Sequence, residues 1–90
     1  MVNIAWTDYL EYRTKLRGFD PEMIEEIIRY SDERYLDTST NRKVVVGRHD
    51  KTLVLIPYEI SENNTVTPVT IHATTRQQIN YRVKSRRYRK

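Results

Sequence analysis

Residues 42–60 read RKVVVGRHDKTLVLIPYEI, two apolar runs divided by a short His-Asp-Lys connection. Runs rich in Val, Leu and Ile on either side of so brief a polar break predict an antiparallel hairpin. The segment TLVLI is apolar at every position, which places it at the centre of a sheet covered on both faces. Pro57 near the end of that run takes one donor out of the ladder.

Working outward, SENN reads as a loop and TVTPVTIH, residues 65–72, as a last strand that Pro68 turns into a bulge or an edge. Upstream, RYLD at 34–37 is a short strand and DTSTN a turn, so the second half of the chain predicts a meander. Before residue 34 the pattern is helical. Asp8 with Glu11 three residues on predicts a capped helix over Asp8–Arg17, closed by Gly18, with Tyr9, Tyr12 and Leu16 on one side and Leu10 at its edge. In GFDPEMIEEIIRYS, Asp20 is a cap, Pro21 opens the helix, and Glu22, Glu25 and Glu26 lie near the positive end of its dipole. Met23, Ile24, Ile27 and Ile28 form its core-facing stripe, and Phe19 is placed to staple onto Ile24. Residues 75–85 predict a final helix with Ile79 and Val83 as its apolar positions. The expected class is α+β: two N-terminal helices packed on an antiparallel β-meander of three to four strands, with a basic C-terminal helix. Ninety residues allow a single domain over 1–90, with residues 82–90 as a basic tail.

Composition narrows the chemistry. The chain has no cysteine, which excludes disulfides and thiolate zinc sites, and its two histidines are too few for a self-contained metal site. Two glycines leave no room for a Gly-rich phosphate loop, and neither H-E-x-x-H nor G-x-S-x-G occurs. No cofactor is expected. The longest apolar runs are far too short to span a bilayer and the opening residues lack the layout of a signal peptide, so no membrane partner and a cytoplasmic location are expected.

Charge is divided unevenly. Residues 1–37 carry five Lys/Arg against nine Asp/Glu, whereas residues 38–90 carry eleven against three. The last fifteen residues, RQQINYRVKSRRYRK, hold seven basic side chains and no acid, a potential that attracts a polyanion such as nucleic acid. Charge runs of this kind also serve simply as solvated tails.

Cleavage of RNA by its own 2′ hydroxyl needs a base, cations for the phosphate and an acid for the leaving oxygen, all within reach of His, Arg, Lys and Tyr. His72 is the acid–base candidate, since a histidine near its ordinary pKa of about 6.5 populates both states near neutrality. Arg76, four residues on, and Arg48 at the end of a strand are candidate phosphate clamps. Tyr81 and Tyr88 are candidates for base stacking or proton donation, with Tyr81 also readable as a core residue. Arg82, Lys84, Arg86, Arg87 and Tyr88 form the candidate RNA-contacting tail. Strand alternation puts Val69 and Ile71 on one face and Thr70 and His72 on the other. His49, in the hairpin turn, reads as an exposed residue.

The order of elements resembles the RelE/ParE superfamily of small toxins and, within it, the BrnT-like branch. The resemblance runs from about Ile4 to Tyr88: a short first strand at Asn3–Trp6, the opening WTDYLEYRTKLRGFDPEMIEEII, the central hairpin VGRHDKTLVLIPYE and a basic close with Arg and Tyr. It implies a metal-independent endoribonuclease, the toxin of a type II toxin–antitoxin pair, whose partners are RNA, free or as ribosome-bound mRNA, and an acidic antitoxin protein. By position it implies that Arg48, His72, Arg76 and Tyr81 line the RNA-facing side of the sheet. Two other functions fit the residues alone: a non-catalytic nucleic-acid-binding module, and a protein-interaction domain whose tail serves solubility.

Overall fold

The computed structural model describes residues 2–90 and is an α+β fold of three helices on an open seven-stranded sheet. In chain order the elements are β1 (Asn3–Ile4), α1 (Asp8–Leu16), α2 (Pro21–Tyr30), β2 (Arg34–Asp37), β3 (Arg42–His49), β4 (Thr52–Ile60), β5 (Thr65–Pro68), β6 (His72–Thr74), α3 (Arg76–Lys84) and β7 (Tyr88–Arg89). Neighbours run β1-β5-β4-β3-β2-β7, with β6 pairing β4 beyond the end of β5; only β1 and β5 are parallel. The expected hairpin is the centre of this sheet, paired from Lys43↔Tyr58 to His49↔Thr52.

The expected single last strand is in fact broken in two. β5 pairs with Tyr58–Ile60 and β6 with Leu53–Leu55, and between them Val69 N–H donates to the Pro57 carbonyl at 2.8 Å. In an antiparallel ladder a residue's N–H and C=O point to the same neighbour. The donor that Pro57 lacks would therefore aim at the gap between β5 and β6, where the ladder is already interrupted. Alternation does not continue through this gap: Ile71 is buried while Val69 is exposed.

The two sheet faces have separate cores. α2 lays Ile24, Ile27 and Ile28 on Val45, Val54, Ile56, Tyr58, Val66 and Ile71, with Phe19 packed alongside. The Asp20 carboxylate accepts from Glu22 N–H at 3.0 Å, and Pro21 opens α2 as expected. Arg34 ties the far end of α2 to the sheet, donating to the carbonyls of Ser31 and Ile28 and to the Tyr58 hydroxyl. On the other face Tyr35, Val44, Val46, Leu53, Leu55 and Tyr88 meet Ile79 of α3. The meander thus carries helices on both sides.

Four local expectations change. The α1 cap is Thr7, whose hydroxyl accepts from Leu10 N–H, so the cap lies one residue before the expected Asp8, which is instead the first residue of the helix. α1 buries Leu10 and Thr14 instead of the Tyr9, Tyr12 and Leu16 side, because the Thr14 hydroxyl is satisfied internally by the Leu10 carbonyl at 2.7 Å and needs no solvent. α3 buries Ile79 alone; Val83 and Tyr81 are exposed, which removes Tyr81 from the core. His49 is buried, its Nε2 accepting from Asp20 N–H at 2.8 Å and its ring edge-on to Phe19 at 5.2 Å. That bond pins the α1–α2 corner to the hairpin turn. The basic tail is itself part of the sheet, since β7 pairs with Leu36 and Asp37 of β2. Among the described residues no helix is long and apolar enough to cross a membrane.

Candidate active site

Residues paired across an antiparallel ladder share a face. The pairs Leu55↔His72, Asp37↔Arg42 and Asp37↔Tyr88 therefore bring His72, Arg42, Asp37 and Tyr88 to the α3 side of the sheet. Where α3 ends, this face is uncovered and forms a hollow of about 260 Å3. Leu55 and Pro57 are its floor, Val69, Thr70 and His72 one wall, and Arg82, Arg87, Tyr88, Asp37, Thr40 and Arg42 the other.

Tyr88 organises the cationic wall. Its buried ring stacks on Tyr35 at 5.5 Å and 19°, and the guanidinium carbons of Arg82 and Arg87 lie 5.5 and 6.0 Å from its centroid. Arg82 also donates to the Tyr88 hydroxyl at 2.9 Å, while the hydroxyl's own proton has no acceptor among the described residues. Arg87 is committed differently. It donates from Nε and an Nη to both oxygens of Asp37, at 3.0 and 3.1 Å. Burial alone would raise the Asp37 carboxyl, but Arg87 and the Ser39 N–H outweigh it and hold the group below the ordinary aspartate range. The backbone here turns through Arg86 at φ 65°, a left-handed conformation that a non-glycine residue adopts at some expense, and this reversal lays β7 beside β2.

His72 sits at the opposite rim. Partial burial of its ring, then the charges of Arg17 and Arg82, lower its pKa below the ordinary histidine value. The imidazole is thus held toward its neutral, proton-accepting form beside guanidinium groups. Arg17 is fixed there by donating to the Ile71 carbonyl at 2.6 Å.

The hollow gathers His72, Arg82, Arg87 and Tyr88 from the sequence-derived set. Arg76 lies at the other end of α3, where it donates to both oxygens of Glu33 at 2.5 and 2.9 Å. That contact, with Tyr35 O–H on the same carboxylate at 2.8 Å, keeps Glu33 below the ordinary glutamate range and clips α3 to the β2 side of the sheet. Arg48 pairs with Leu53 and so shares the α3 face, but at the hairpin end, in the row of Thr74 and not of His72. Tyr81, 70% exposed, is on the outside of α3, in an open depression with Gln78, Arg82 and Arg87. Lys84 and Arg86 are exposed at the helix end. Sequence reasoning missed Arg17 and Arg42. Arg17 was readable only as a helix-end cation, and the Asp37↔Arg42 register that carries Arg42 to the hollow depends on a turn whose closing residue, Asn41, is left-handed at φ 60°.

Among the described residues no group of three or more His, Asp or Glu side chains is placed to hold a metal ion. No family model, no curated protein and no solved structure matches the chain.

Proposed function

We propose that the chain is an endoribonuclease of the kind its resemblance to the RelE/ParE superfamily and the BrnT-like branch implies: a cytoplasmic, metal-independent toxin that cuts RNA and is neutralised by an acidic antitoxin. The observation that carries the reading is a histidine biased toward its neutral form across a small hollow from a tyrosine flanked by two arginines. His72 takes the proton of the 2′ hydroxyl as that oxygen attacks phosphorus. Arg82 faces the phosphate and stabilises its added charge. The bond from phosphorus to the 5′ oxygen breaks, and that oxygen takes the Tyr88 phenolic proton, leaving a 2′,3′-cyclic phosphate and a free 5′ hydroxyl. Arg87 acts by holding β7 in place through Asp37. Arg76 is a clip between elements in this reading, and Arg42, Lys84 and Arg86 supply outlying phosphate contacts.

Purified protein is incubated with RNA alone and with translating ribosomes, and the ends are analysed. Cyclic phosphate termini are expected in at least one preparation. His72→Ala is expected to lower the rate by about 10²–10⁴-fold with RNA affinity nearly unchanged. If the folded wild-type protein cleaves in neither preparation, the enzyme assignment is wrong; bound but uncut RNA would then leave a binding module.

A further inference from the structure

A second hollow, of about 240 Å3, lies between α1 and the segment joining β5 to β6. It shares Val69 and Thr70 with the His72 hollow, so those two residues form a low saddle between them. Its outer wall is a row along α1 and its C-cap: Tyr9, Arg13 and Arg17, spaced by four residues and therefore stacked along one side of the helix. The Arg13 guanidinium carbon is 5.9 Å from the Tyr9 ring centroid. Tyr9 is 68% exposed, leaving much of its ring surface open. Neither Arg13 nor Arg17 is in an ion pair among the described residues, although Glu11 on the same helix is paired with Lys15 at 3.4 Å. Arg17 lines this hollow and not the other, although its charge also acts on His72.

We infer that this row is a further nucleotide subsite for single-stranded RNA: a base stacks on Tyr9 while Arg13 and Arg17 hold the phosphate that joins it, across the saddle, to the dinucleotide whose own internal phosphate lies between His72 and Arg82. The inference rests on the endoribonuclease reading and extends it from one phosphate to a strand with a defined path. An exposed aromatic ring beside two guanidinium groups that no carboxylate neutralises is the pairing that non-sequence-specific single-strand binders use. An acidic peptide would satisfy the arginines and leave the ring without a counterpart, which is why RNA is the occupant proposed.

Fluorescent oligoadenylates of two and of six nucleotides, fully 2′-O-methylated so that no hydroxyl can attack, are titrated by anisotropy. Tyr9→Ala and Arg13→Ala are each expected to weaken hexamer binding by about 5- to 100-fold, as loss of one stacked base does, and to leave dimer binding unchanged. Tyr9→Phe is expected to retain wild-type affinity. Both positions are on the surface of α1, and an unchanged urea midpoint establishes that the fold survives. Hexamer binding untouched by both alanine substitutions, while His72→Ala still abolishes cleavage, would overturn the subsite and leave the ribonuclease reading standing. Equal losses for both lengths would also overturn it, as would loss of polyglutamate binding with RNA binding intact. Failure of the folded wild type to bind either oligomer would remove the underlying reading and this one together.

Discussion

Under the proposed function His72 carries the first proton transfer, and its environment has a direct spectroscopic consequence. Its folded pKa is lowered, first by partial burial and then by Arg17 and Arg82. The imidazole resonance followed by NMR is therefore expected to titrate below about 6.5, and Arg17→Gln is expected to move the midpoint back up. Above about pH 6.5 the histidine is neutral in both states and contributes nothing; as pH falls toward the folded pKa the unfolded chain binds the proton first and the fold loses stability. The acid limb of any cleavage rate is expected to lie at the same lowered value. Arg86 is the second residue with an isolated consequence. At φ 65° it occupies the position after α3 that glycine ordinarily fills. Arg86→Gly is expected to stabilise the fold by up to about 1 kcal/mol, read from urea unfolding, because the left-handed strain of a residue with a Cβ is relieved.

Among elements, the contact between α2 and β3 leaves no room for a methyl group at Gly47. A Cβ built on Gly47 would lie 2.6 and 2.9 Å from the two γ carbons of Ile27, and 3.2 Å from its Cβ. These atoms belong to the stiff, branched base of a buried side chain and cannot swing away. Gly47→Ala is expected to destabilise by about 1–3 kcal/mol, and Ile27→Ala in the same chain to recover part of that loss, a coupling that a double-mutant cycle measures. The elements most legible in sequence were those whose signals agree across levels. In α2 the Asp20 cap, Pro21 and the isoleucine stripe all point one way, and in the hairpin two apolar runs flank a turn. α1 was placed within a residue, yet its buried side was misread. Three large residues on one side outvoted Leu10 and Thr14, and a threonine that satisfies its own hydroxyl on the helix carries no apolar signature. The break after Pro68 was foreseeable from proline chemistry. β7 was not, because a two-residue strand depends on Asp37 and Thr38, some fifty residues earlier, and on a left-handed arginine no propensity would select. Arg87 and Tyr88 reach the hollow's cationic wall through that strand and its reversal, so the site was less legible than the fold.

For the molecule as a whole, the uneven charge of the two halves of the chain becomes a shared duty of the same arginines. Arg82, Arg86 and Arg87 are close in sequence, but only Arg87 is bound to a buried carboxylate, with Asp37 at 6% side-chain exposure and Arg87 at 41%. Binding and stability are separable on that basis. Under the proposed function, RNA affinity falls with salt, with a slope on logarithmic axes of about −0.7 for each phosphate neutralised on a single strand. Arg86→Gly is expected to reduce that slope by about 0.7 while the fold becomes more stable. Arg87→Gln leaves a buried carboxylate without its ion-pair partner, and is expected to cost about 1–3 kcal/mol near neutral pH, discounted for the solvent that reaches the arginine. Because the folded pKa of Asp37 is depressed, the contribution of the pair is present above the unfolded aspartate value of about 3.9 and is lost as pH falls through the folded value. The difference in urea midpoint between wild type and Arg87→Gln is therefore expected to be full at pH 7 and to close below about pH 3.9. A difference that persists undiminished at low pH would mean that Arg87 holds β7 through its stacking on Tyr88 and not through its charge, and the hollow's far wall would then be an aromatic assembly first and an electrostatic one second.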